Sequence, residues 1–267
     1  MEYKQLAKQL LNYRLECELN FTNELRQKVI SAFKELCVYG YSGSLTPLDF
    51  QFNKLSTKAE INKVITDLCE WIFDKQVEYS DKSMDAVIDA YDVKKEITAE
   101  EFINDYEYGH TDKERIRTYA NRFKYEAEAW IASALIIGEP MATLINQFSA
   151  NIQNPYNNSI FNQAVKDRSA SATRLKTRGK SYGIGRYISS LNSLKRLGRA
   201  VIADANKRSI ISAYKQIGAK GFEVYRGSSY PCSLCDSMVG YHDINSIDAM
   251  PPYHCNCVCY TVPIFSF

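Results

Sequence analysis

At 267 residues the chain is long for one domain and short for three, and 45% apolar with 24% charged residues is the balance of an ordinary soluble globular protein. Gly and Pro are sparse, which argues against a turn-rich β-sandwich and for packed helices. The net charge of +2 excludes a protein that coats nucleic acid throughout, yet Lys166 to Arg199 holds ten Lys or Arg and one acid.

The opening Met1-Glu-Tyr-Lys-Gln is charged and has no apolar run, which argues against a secretory leader. Tyr3, Leu6, Leu10, Tyr13 and Cys17 then recur at three- and four-residue steps, the apolar stripe of a first helix. A second stripe, Leu25, Val29, Ala32 and Leu36, follows Thr22 as N-cap and is expected to stop at Gly40. Thr57 with Glu60, Thr98 with Glu101, and Thr111 with Glu114 have the spacing of capping boxes, where hydroxyl and carboxylate each satisfy a backbone N–H. Ile61, Val64, Leu68 and Trp71 continue the helical period after the first box, and Ile116, Tyr119, Phe123 and Trp130 after the third, as far as Gly138. The most apolar stretch, Ala129 to Ile137, is much shorter than the roughly 20 residues of a membrane span and reads as a buried helix. No membrane association is expected. The expected setting is a reducing cytosol, where cysteines are core residues or metal ligands more often than disulfides.

Residues 151–185 are small, polar and basic with several Gly, and read as a linker or arm. Lys166, Arg168, Arg174, Lys176, Arg178 and Lys180 are the candidate contacts to DNA phosphates, against the plainer reading of a solvated arm. A last helix runs from about Tyr187 to Ile217, before Gly218. Beyond it the period shifts towards 2, and Phe222-Glu-Val-Tyr-Arg and Val258-Cys-Tyr-Thr-Val read as short strands. The expected fold is mainly α: a helical bundle over 1–150, the arm over 151–185, and a small C-terminal α+β zinc-knuckle unit over 186–267.

Cys17, Cys37 and Cys69 lie on or beside helical stripes and read as core thiols. The other five cysteines fall between Cys232 and Cys259. Cys232-Ser-Leu-Cys235 places two thiolates at the spacing of one knuckle, and His254-Cys-Asn-Cys257 supplies a second. Zinc held by Cys232, Cys235, His254 and Cys257 is the expectation, with Cys259 as substitute for Cys257 and His242 as a weaker candidate. Core thiols or a disulfide cluster are the plain alternatives. Four protein ligands leave no position for a catalytic water, so such a site is structural.

The run Gly218 … Phe222-Glu-Val-Tyr … Cys232-x-x-Cys235 … Val239-Gly240 … Pro251-Pro252-Tyr-His254-x-Asn256-Cys257-x-Cys259 resembles the C-terminal signature of Mu F-like phage head morphogenesis proteins. Arg199 and Asn206 of the preceding helix also resemble that family. Cys255, Val258 and Val201 depart from it, standing where Pro, Arg and Glu are usual. The resemblance covers roughly the last eighty residues. It implies a non-enzymatic minor protein of the virion head, assembled in the bacterial host cytoplasm. The partners it implies are the portal or major capsid protein and packaged double-stranded DNA.

Enzyme readings are weaker. Pro231-Cys232-x-x-Cys235 matches half of a zinc deaminase signature, but the upstream residues offer only His110-Thr-Asp112 in place of His-x-Glu. Glu126-Ala-Glu128 imitates the Glu-x-Glu of ADP-ribosyltransferases, yet it lies mid-helix and reads as a solvated helix edge. Gly179-Lys180-Ser181 ends like a phosphate-binding loop, but Arg174 stands where the first Gly belongs. Two readings of other classes stay open: a cellular zinc-stabilised nucleic-acid-binding protein, and a toxin carried in the head. Genome position beside portal and terminase genes separates the first from a head protein, and growth arrest on expression marks the second.

Overall fold

In a computed structural model the chain is mainly helical and carries a small three-stranded sheet towards its C-terminus. The structure describes residues 2–42, 50–106, 109–155, 159–166 and 189–266, with backbone alone at 165 and 166. In chain order the elements are α1 (Tyr3–Tyr41), α2 (Lys58–Tyr91), α3 (Ala99–Asp105), α4 (Asp112–Ile137), α5 (Met141–Asn151), α6 (Ser159–Lys166), α7 (Ser190–Gln216), β1 (Gly221–Tyr225), the one-turn α8 (Ser233–Asp236), β2 (Gly240–Asp243) and β3 (Tyr260–Ile264). Among the described residues no helix is long and apolar enough to cross a membrane.

Two expected helices at the start are one. α1 runs unbroken for 39 residues, and Thr22 lies inside it. The Thr22 hydroxyl donates to the Leu19 carbonyl at 2.9 Å, so the side chain is satisfied within the helix and nothing obliges it to cap. Gly40 also lies inside α1. A Cβ there would stand 2.9 Å from the Ile131 side chain, so this glycine serves close packing instead of termination. The Thr98–Glu101 capping box is formed as expected, with Thr98 accepting from the Glu101 N–H and Glu101 accepting from the Thr98 N–H. Gly138 follows α4 with φ 72°, and Gly218 follows α7 with φ 79°, the left-handed turn that ends helices.

The described residues group into two compact units, and neither is a continuous stretch of chain. One comprises residues 1–22, 74–112 and 196–267; the other comprises 23–73 and 113–195. The helices α1, α2 and α7 each give part of their length to both, so the units interleave along the chain. A helix also stands inside the expected linker. In α6 the side chains of Ile160, Phe161 and Ala164 are buried, and Phe161 meets Trp130 edge-on at 5.1 Å. An apolar face at helical spacing outweighs the polar composition around it. The core of this second unit is aromatic: Phe33 stacks on Phe148, and Trp130 meets Phe148 at 5.6 Å.

In the first unit the sheet has the order β2-β1-β3 with both pairs antiparallel. Glu223 is opposite Tyr241 on one side and Val262 on the other, which turns Phe222 and Val224 to the buried face. The strand β2 went unread in the sequence because only Tyr241 of its four residues favours a strand. Phe222 and Val224 join Leu10, Val87, Tyr91, Ile211 and Tyr214 in one core cluster that also contains Cys235, Cys257 and Cys259. The thiols are thus set in a hydrophobic core of this unit, beside residues of α1, α2 and α7.

Candidate metal centre

Each side chain of the centre is placed by a short local structure. Cys232 precedes α8 and Cys235 lies on its single turn, closed by the Asp236 N–H on the Cys232 carbonyl at 2.8 Å. His254 and Cys257 flank a tight turn in which the Cys257 N–H donates to the His254 carbonyl at 2.9 Å. Cys259 sits immediately before β3. The Nε2 of His254 lies 3.4 Å from the Cys232 sulfur and 3.1 Å from the Cys235 sulfur. The Cys235 and Cys257 sulfurs are 3.9 Å apart.

Two ligand sets result. Cys232, Cys235 and His254 bring their ligand atoms within 4.8 Å of one another, and so do Cys235, Cys257 and Cys259. Cys235 belongs to both. All eight cysteines of the chain are thiols, not disulfides. This Cys/His cluster can hold a metal ion, and Cys232, Cys235, His254, Cys257 and the substitute Cys259 all belong to it.

Local hydrogen bonds sort the thiols. Backbone N–H from Cys235, joined by its thiol and the N–H of Leu234, holds the Cys232 thiol below its ordinary range. Burial pushes Cys235 up to about 11. Between the last two, a hydrogen bond from the Cys259 thiol lowers Cys257, helped by the N–H groups of Tyr253 and Cys259, and the same bond raises Cys259.

Behind the cluster stands a charged network that the apolar stripe of α1 did not predict. Tyr13 is exposed, while Arg14 and Glu18 are 4% and 3% exposed. The Arg14 guanidinium donates to the Cys257 carbonyl at 2.8 Å and pairs with Glu18 at 3.2 Å. Glu18 also pairs with Arg199 of α7 at 2.9 Å, and Arg199 donates to the Asn256 side-chain oxygen at 3.0 Å. Burial pushes the Glu18 carboxyl up, and the two arginines oppose it. The available signal was positional: with Ala7, Leu10, Cys17 and Phe21 buried, helical phase puts Arg14 and Glu18 on the same inward face.

His242 is apart from the cluster. Its Nε2 donates to the Met238 carbonyl at 2.9 Å and its ring stacks on Phe222. Lys166 ends α6, while Arg168, Arg174, Lys176, Arg178 and Lys180 lie outside the described residues. Cys17 and Cys37 are buried, and burial pushes their thiols up to about 11 and about 12, as suits core residues. Glu126 is a correction. It is buried at 3% exposure, not solvated, because its carboxylate accepts from the Ser190 N–H at 2.9 Å and the Ser190 hydroxyl at 2.5 Å where α7 begins. Glu128 accepts from the Phe52 N–H at 2.8 Å. Both carboxylates of the Glu-x-Glu pair hold backbone N–H groups.

Compared with protein-family models, curated proteins and solved structures, the chain matches none.

Proposed function

We propose that the chain is a non-enzymatic minor head protein of a tailed bacteriophage, built around a structural zinc site and docked on the portal or inner capsid beside packaged double-stranded DNA. The observation that carries the reading is the ending Pro251-Pro-Tyr-His254-Cys-Asn256-Cys257-Val-Cys259, which resembles that of Mu F-like head morphogenesis proteins and converges with Cys232 and Cys235. Arg199, the other family-like position, is bonded to Asn256 of the same ending.

The donor set suits zinc. Around a tetrahedral ion with Zn–S of about 2.3 Å and Zn–N of about 2.0–2.1 Å, sulfur–sulfur edges are ~3.8 Å and sulfur–nitrogen edges ~3.5 Å. The observed 3.9 Å between Cys235 and Cys257, and 3.4 and 3.1 Å from His254 to Cys232 and Cys235, lie close to three of those edges. Cys257 shares no ligand set with Cys232 or His254 and would have to move towards them to close the shell. Cys232, Cys235, His254 and Cys257 would hold the ion, with Cys259 as the substitute. His254 would bind through Nε2, the ring proton then on Nδ1, which gives up its long 3.3 Å contact with the Asn256 N–H. Such a shell is closed, so the ion supplies cross-linking and no open coordination position.

The DNA contact is assigned to Lys166, Arg168, Arg174, Lys176, Arg178 and Lys180. The test is protein identification in purified particles, with and without DNA, beside particles from a gene deletion. The protein is expected in wild-type heads, and deletion is expected to impair head assembly or infection. Wild-type heads that lack it, with deletion heads that form and infect normally, overturn the reading in favour of a cellular role.

A further inference from the structure

We infer that Arg14, Glu18 and Arg199 are positioning residues of the metal centre, setting how tightly the Cys/His cluster binds its ion; this rests on the zinc reading above. Two of the three side chains reach the second knuckle, at consecutive residues. Arg14 holds the main-chain carbonyl of Cys257 at 2.8 Å, and Arg199 holds the Asn256 side chain at 3.0 Å. Glu18 joins them, 3.2 Å from Arg14 and 2.9 Å from Arg199.

The geometry limits how far the knuckle can move. Cys257 has its N–H on the His254 carbonyl and its own carbonyl on Arg14, so the peptides on both sides of its Cα are tied. Its sulfur is thereby aimed at Cys235, 3.9 Å away. Arg14 is itself held in a buried setting by one hydrogen bond from Nη2 to the Cys257 carbonyl and an ion pair with Glu18.

Charge points the same way. Three thiolates and one neutral imidazole around a divalent ion leave one negative charge in excess. Arg14 is buried against the backbone of a ligand with Glu18 and Asp204 as its own counter-charges, and Arg199 adds a second positive charge at Glu18. A thiolate-rich centre in a core favours a neighbouring cation.

The experiment uses the full-length chain with Co²⁺ and Zn²⁺ as probes, chelator competition for affinity, and the thiolate-to-Co²⁺ absorption band for ligand geometry. Arg14→Lys keeps the charge and loses the fork; Arg199→Lys does the same at the more exposed end of the network, where the side chain is 30% exposed. Each is expected to weaken binding roughly 10–100-fold and to shift the Co²⁺ band, with helical circular dichroism at saturating metal equal to wild type. A purely structural role would lower thermal stability and leave affinity and band unmoved. Affinities within about twofold of wild type with an unchanged band overturn the inference. Should Arg14→Lys fail to fold, Arg199→Lys decides alone. A wild-type chain that binds neither ion overturns the zinc reading, and this inference with it.

Discussion

The guanidinium of Arg14 donates to the carbonyl of Cys257 across 243 positions of sequence, at 2.8 Å and out of reach of water. That bond joins the first helix to the knuckle nearest the C-terminus, and the same core cluster contains Leu10, Val87 and Tyr214 beside three cysteines. A metal bound there is a cross-link in the middle of a folded unit.

The first prediction follows from this embedding. The chain should bind one equivalent of zinc, more weakly as pH falls because the thiols must lose protons. Ligand present at 1,000 times its Kd stabilises a fold by about 4 kcal/mol, so chelation should lower the thermal midpoint by several degrees. The helical signal should melt with the centre, since α1, α2 and α7 share its core. Cys235→Ser should be more damaging than Cys232→Ser, because Cys235 is 3% exposed and belongs to both ligand sets. Equal effects of the two substitutions, or a melt indifferent to chelator, would count against it.

Glu126→Ala should destabilise the protein by about 1–3 kcal/mol, the cost of leaving the Ser190 N–H and hydroxyl unpaired in a buried site. Metal stoichiometry should be unchanged. Denaturant melts beside metal analysis check both halves, and a wild-type melt would mean that the carboxylate is not what starts α7.

Gly198 lies in α7 where an added Cβ would overlap the Phe21 ring. Gly198→Ala should therefore cost on the order of 1–3 kcal/mol through overpacking, and Phe21→Leu in the same chain should recover part of it. A double-mutant cycle by thermal melting checks the coupling; additive effects would exclude this contact as the cause.

The basic segment yields a prediction in salt. If Arg174, Lys176, Arg178 and Lys180 neutralise phosphates, reversing all four should weaken binding to any duplex sequence. The slope of log affinity against log salt should shrink by about 0.9 for each phosphate that is no longer neutralised. Filter-binding titrations at several salt concentrations measure it. An unchanged affinity and slope would assign the segment another role.

Much of this was legible in residue types alone. C-x-x-C and H-C-x-C at ligand spacing located the cluster, because knuckle geometry is local and spacing encodes it. Thr98 and Glu101 announced their capping box for the same reason. Thr22 misled because a hydroxyl that can cap can equally bond back within the helix, and only the surrounding packing chooses. Arg14, Glu18 and Glu126 were hidden for a different reason. Buried charge is rare, so an ionisable residue on a helix reads as solvated until a partner far along the chain is in view.

The interleaving of the two units has a consequence for synthesis. Residues 1–22 complete their unit only with 196–267 present, so the first half of α1 must wait on the ribosome for the last quarter of the chain. At 5–20 residues per second that delay lasts roughly 10–50 s. During it, Leu10 has Val87 and Tyr91 but lacks Ile211 and Tyr214, and Phe21 has Tyr79 but lacks the backbone at Gly198, so a chaperone has a defined stretch and a defined interval in which to act.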